Sequence, residues 1–113
     1  MVLDWVRQQL RANLGLTPFP GTLNLAVAPE AFRSIFDRRS TFLKISDPSS
    51  PHCPGFLCRV TLRANGQVCR SAYLILPEMS VYKDVLEVIS EQNLREALYL
   101  QDGDRVELQE DSK

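Results

Sequence analysis

Apolar positions change their spacing along this chain, and each change marks an element. Leu3, Val6, Leu10 and Leu14 recur at steps of three and four, the period of one helical face, with Arg7, Gln8, Gln9 and Arg11 opposite. The spacing predicts a helix over roughly residues 2–14, ended by Asn13 and Gly15 and kept from resuming by Pro18. Its arginines read as a solvated face. After the turn Thr17-Pro18-Phe19-Pro20-Gly21 the period falls to two, and Thr22 to Ala28 reads as a strand. Pro29 then opens a short helix with Glu30 near its positive end, and Ala31, Phe32, Ile35 and Phe36 form its expected buried stripe. Asp37-Arg38-Arg39-Ser40 reads as a solvated polar break, followed by a strand from Thr41 to Ser46.

Three prolines and a glycine make residues 47–55 the most loop-like stretch. From Phe56 to Arg63 the pattern alternates again. Asn65-Gly66 is a strong hairpin signal, and Val68 to Leu76 forms the return strand, stopped by Pro77. Val85 to Ile89 is another apolar strand, with the carboxylate of Glu87 planted inside it. Ser90 to Asn93 can cap a short helix over Leu94 to Leu98, with Leu94, Ala97 and Leu98 inward. Gln101 to Asp104 is a tight turn, Arg105 to Leu108 a closing strand, and Gln109 to Lys113 a polar tail expected to fray. No internal repeat interrupts this order. The elements sum to a mainly β fold, a small closed barrel of five or six strands with two or three short helices.

Bulk properties narrow the class. The 113 residues suit a single domain, 1–113, with one modest core. A net charge of −1, with acidic and basic residues interspersed, lacks the basic footprint of a nucleic-acid binder. No apolar run approaches a membrane span, and Asp4 and Arg7 interrupt the first apolar stretch, so neither a membrane segment nor a secretory signal is expected. A cytoplasmic location follows. Cys53, Cys58 and Cys69 are an odd count, read as free thiols. With His52 they match no paired C-x-x-C knuckle, so zinc is not expected.

Thr22 and Asn24 are the first candidates for chemistry. On a strand they point to one side, offering two neutral hard oxygens that suit a Mg²⁺ completed by water and phosphate. The alternative is an ordinary edge strand with polar residues on its wet face. Glu87 is the second candidate: a carboxylate in an apolar strand lies on an exposed face or is held at a site.

Two blocks at fixed separation then speak together. Leu14-Gly15-Leu16-Thr17-Pro18-Phe19-Pro20-Gly21-Thr22-Leu23-Asn24-Leu25 resembles the LG-x-x-P-[YF]-x-GTLN segment of the CTP-dependent riboflavin kinases typical of archaea. Residues 76–106 resemble that family's second signature, a Pro, a Thr or Ser, a Tyr, then D-V-x-E-I-I, N-L-R and L-x-x-GD-x-V. The resemblance implies a six-stranded cradle-loop β-barrel that transfers the CTP γ-phosphate to riboflavin, giving FMN and CDP. Carried over by position, it implies Thr22 and Asn24 as Mg²⁺ ligands, and Ser80 and Glu87 as flavin contacts. Glu87 would orient or deprotonate the attacking hydroxyl, and Gln92, Asn93, Leu94 and Arg95 would touch the cytidine nucleotide. Riboflavin/FMN and CTP/CDP are the implied ligands and Mg²⁺ the implied cofactor, with no nucleic acid and no membrane.

The sequence departs from the family in one respect that bears on catalysis. Family members place a strand and an S-G-x-G-E-G loop before the first helix, whereas no glycine precedes Gly15. Met79 and Val81, flanking Ser80, also differ from the family's charged or aromatic residues. The leading expectation is therefore a riboflavin kinase-like phosphotransferase. One alternative is a non-catalytic flavin- or nucleotide-binding domain without the phosphate cradle, and another is a DNA-binding regulator on the same barrel. A barrel short of a strand leaves an open edge, so a homodimer is a further expectation.

Overall fold

The computed structural model describes residues 4–15, 17, 22–47, 50–77 and 84–111, with side chains described except at 4–6, 13, 46, 47, 50–54 and 77. Three helices and six strands follow in the order α1 (Asp4–Leu14), β1 (Leu23–Ala26), α2 (Pro29–Asp37), β2 (Leu43–Asp47), β3 (Ser50–Ala64), β4 (Gln67–Pro77), β5 (Val85–Ser90), α3 (Leu94–Ala97) and β6 (Glu107–Glu110). All strand pairs are antiparallel, in the order β1-β5-β4-β3-β2, with β6 on β3 beyond the end of β2. The long β3 strand thus carries β2 along its first half and β6 along its second. The sheet curls into a half-barrel, and no ladder joins β1 to β6 among the described residues.

Alternation assigns each strand two faces. Leu23, Val60, Leu62, Ala72, Leu74, Leu76, Leu86 and Val88 fill the concave side, where α2 adds Phe32 and α3 adds Leu94 and Leu98. A register shift in the β3–β4 ladder, from Val60↔Ala72 to Leu62↔Cys69, gives β4 one extra residue. That bulge resets the alternation and turns Cys69 inward. The convex side has its own smaller core of Ile45, Leu57 and Ile89, covered by Leu10 from α1.

Several expectations are corrected. Leu14, expected on the buried face of α1, is 39% exposed at a cavity rim; Leu3 and Val6 lie outside the described side chains. Gly15, at φ 63, ends the helix by donating its N–H to the Arg11 carbonyl at 3.1 Å. In α2 only Phe32 is buried, and Ala31 is exposed. The break after α2 is a 3-10 turn, Arg39–Thr41, and its arginines are engaged: Arg38 pairs with Glu110, and Arg39 lies 4.2 Å from the Phe36 ring centroid.

The stretch expected to be a loop from 47 to 55 is mostly strand, because β3 begins at Ser50 and pairs with β2 through Asp47↔Ser50 and Ile45↔Gly55. Proline lacks an N–H to give a ladder, and it is tolerated here beside a register irregularity between Ile45 and Asp47. The tail does not fray at Gln109. The closing strand is Glu107–Glu110, two residues later than the alternation suggested, and Thr61 Oγ1 donates to Asp111 Oδ1 at 2.9 Å. No helix among the described residues is long and apolar enough to cross a membrane.

Candidate functional site

β1 is short because Gly21 precedes it in sequence and Pro29 follows with a new helix, and its four residues pair only with β5. Leu23 is buried, while Asn24 points outward and is exposed. The ladder places Asn24 directly opposite Glu87, and Glu87 opposite Ile75 on β4. A continuous row on the convex face therefore reads Asn24, Glu87, Ile75, Leu57, Leu43 across five strands. Glu87 is half-buried in this row, with an amide on one side and a branched alkyl chain on the other. Burial raises its carboxyl pKa above the usual value of 4.5, since a charged carboxylate loses hydration there.

Thr22, one residue before β1, is half-buried and lines a cavity of about 200 Å³ with Ser90, Gln92, Asn93, Leu94 and Arg95. The two motifs, far apart in sequence, therefore share one cavity. Ser90 is 1% exposed; its Oγ donates to the Ser71 carbonyl at 2.9 Å and accepts from the Gln92 N–H at 3.2 Å. Gln92 Oε1 lies 3.5 Å from the Cys69 thiol, which donates to it. Asn93 caps α3, its Oδ1 accepting from the Glu96 N–H at 3.4 Å, as the sequence suggested. Leu94, which also borders the cavity, belongs to the buried core.

Arg95 is exposed and pairs with Asp102 at 3.2 Å. It borders both this cavity and a larger groove of about 510 Å³ between β1 and the segment from Leu100 to Val106, where Asn24, Asp102 and Asp104 are also found. Ser80 and the Phe19-Pro20-Gly21 turn lie outside the described residues. Of the other expected site residues, Thr22 and Gln92–Arg95 meet in one cavity, and Asn24 and Glu87 meet across one ladder.

Among the described residues no group of three or more His, Cys, Asp or Glu side chains could hold a metal. The oxygens of Thr22 and Asn24, with the Glu87 carboxylate opposite Asn24, are instead a hard, low-charge donor set. Such a set fits Mg²⁺, which keeps several waters and takes its remaining ligands from phosphate. Sequence reasoning missed Ser90, Asp102 and Asn65. Ser90 and Asn65 act through backbone groups distant in sequence, while the Asp102-Gly103 turn could have drawn notice to Asp102.

Comparison with known proteins gives a consistent result. Residues 1–109 match the family of CTP-dependent riboflavin kinases, also described as domain of unknown function DUF120. A riboflavin kinase of Thermoplasma volcanium is 35% identical over 109 residues, which cover 89% of this chain and 46% of that protein. A riboflavin kinase of Archaeoglobus fulgidus is 35% identical over 95% of this chain and 46% of its own length. One from Aeropyrum pernix is 35% identical over 88% of this chain and 76% of its own length. The chain thus spans about half the length of the first two relatives and about three quarters of the third.

Proposed function

The chain belongs to the CTP-dependent riboflavin kinase family, and from that premise we propose that it transfers the γ-phosphate of CTP to the 5′-hydroxyl of riboflavin. The observation that carries this reading is the Asn24↔Glu87 pair beside the cavity shared by Thr22 and Gln92–Arg95. Phosphoryl transfer asks mainly for positioning and charge neutralisation, so a small set of oxygens and a nucleotide-gripping segment is sufficient.

In this reading the Gln92–Arg95 segment holds the cytidine nucleotide, with Arg95 exchanging its exposed partner Asp102 for phosphate. Glu87 accepts the proton of the riboflavin hydroxyl as that oxygen bonds to the γ-phosphorus and the bond to the β-phosphate oxygen breaks, releasing CDP. Its raised pKa makes it a stronger proton acceptor than a solvated carboxylate. Thr22 and Asn24 would hold Mg²⁺, which when bound neutralises charge on the phosphate oxygens.

The test is FMN formation from riboflavin, CTP and Mg²⁺, followed by chromatography with ATP as the comparison nucleotide. FMN formed with CTP supports the reading. Binding of riboflavin and CDP without turnover replaces it with the non-catalytic flavin- and nucleotide-binding domain. Absence of both turnover and binding overturns it.

The same proposal includes a homodimer. The edge of β1 away from β5 has no ladder partner among the described residues, and an unpaired edge is a template for a second copy. Light scattering that reports only the 12.8 kDa monomer at high concentration would remove the dimer from the reading.

A further inference from the structure

Asn65 occupies the β3–β4 turn, far in sequence from both site motifs, yet its side chain reaches the segment that follows α3. Its amide nitrogen donates to the Leu98 carbonyl at 3.0 Å, the Tyr99 carbonyl at 2.9 Å and Asp104 Oδ2 at 3.0 Å. All three neighbours are acceptors, which fixes the amide orientation, and its N–H groups are shared among them. Asp104 also accepts from the Gln101 N–H at 3.0 Å, so one carboxylate and one amide tie the hairpin turn to the Gln101–Asp104 turn.

These bonds fall where α3 needs them. The helix has only four residues, too few to be stable by itself. It closes with the Leu100 N–H on the Arg95 carbonyl at 2.8 Å and the Tyr99 N–H on the Glu96 carbonyl at 3.3 Å. This is the Schellman pattern, which calls for a left-handed residue and usually recruits glycine. Here the position is Tyr99, at φ 52. Asn65 and Tyr99 are the two non-glycine residues with positive φ among the described residues, and they are bonded to each other. A bulky residue stays left-handed only where its surroundings determine it. The Asn65 amide, on the carbonyls of Leu98 and Tyr99, is that determinant. Asn93 secures the other end of the helix.

We propose that Asn65 is a positioning residue for nucleotide binding: it clamps the C-terminal end of α3 and so fixes Arg95 and the Gln92–Arg95 wall of the cavity. The nucleotide part rests on the kinase reading above; the clamp does not. Asn65 touches no reactant in this account and acts through α3.

Calorimetric titration with CDP and Mg²⁺, and separately with riboflavin, is paired with amide hydrogen exchange over residues 94–100. Asn65→Gly keeps the left-handed turn and deletes the amide. It is expected to speed exchange over 94–100 and raise the CDP dissociation constant about tenfold, with riboflavin affinity unchanged. Asn65→Asp, which sets a carboxylate against Asp104 and two carbonyls, shifts both further in the same direction. Unchanged exchange in both variants overturns the clamp, and faster exchange with unchanged CDP affinity overturns its link to the nucleotide. Equal losses of CDP and riboflavin binding mark a general loss of structure and also overturn it. If the unaltered protein binds neither CDP nor CTP, the kinase reading and the nucleotide part fall together, while exchange still decides the clamp.

Discussion

Asn24 and Glu87 stand opposite each other across the β1–β5 ladder, the one exposed and the other half-buried. One residue comes from the strand that follows the first turn motif and the other from the second motif. Their pairing joins the proposed metal end of the site to its proposed base.

Glu87→Gln separates catalysis from stability. Without a proton acceptor, FMN formation should fall about a hundredfold. Burial raises the folded-state pKa of Glu87 above 4.5, so the folded chain holds this proton more tightly than the unfolded chain does. Below the usual carboxylate range both states are protonated and there is no penalty. As pH rises past the folded value, the cost of the buried charge is fully established. The variant should therefore melt at a higher temperature than the parent at neutral pH, with the difference vanishing in acid. A melting series from pH 3 to 8 checks this.

Chelation should abolish FMN formation, and added Mg²⁺ should restore it. Thr22→Ala should raise the Mg²⁺ needed for half-maximal rate about tenfold or more, because one of the two proposed neutral oxygen ligands is gone. A Mg²⁺ titration that superimposes on that of the parent protein would remove Thr22 from the metal site.

Leu10→Ala tests how α1 is held. Leu10 is 0% exposed and covers Ile45, Leu57 and Ile89 on the convex face. Its truncation should cost about 2–5 kcal/mol, read as a lower urea midpoint, with α1 amides exchanging faster than those of β3.

Cys58 should be a sluggish thiol. Burial first, then the carboxylates of Glu110 and Asp111, push its pKa up to about 11. Alkylation at pH 8, mapped by peptide mass spectrometry, should be far slower at Cys58 than in a free cysteine peptide. The rate should climb only as pH nears 11. Glu110→Gln should speed it by removing a repelling charge.

Much of the fold was legible because local chemistry and tertiary structure agree. Asn65-Gly66 formed the expected hairpin with φ values of 53 and 75, a conformation open to Asn and Gly at low cost. Pro29 opened α2, and Asn93 capped α3. Leu10, Leu23, Leu94 and Leu98 are buried as their spacing required. The candidate residues were legible for a different reason: they sit in two contiguous motifs, Thr22 and Asn24 at β1, and Glu87 to Arg95 running from β5 through a turn into α3.

The sequence by itself determined periods, caps and turns, which are interactions between near neighbours. It also supplied the motif residues Thr22, Asn24, Glu87 and Gln92–Arg95. Tertiary structure alone decided which polar residues would be satisfied across the fold. Residues 109–111 read as a fraying tail until Arg63, Thr61 and Arg38 met Gln109, Asp111 and Glu110 across separations of 46, 50 and 72 residues. Ser50–Gly55 read as a loop until β2 supplied ladder partners. Asn65 read only as a turn residue until the chain end of α3 arrived beside it. A hydrogen bond contributes only where its partner is brought within reach, and the curl of the sheet, rather than any local run of residues, does the bringing.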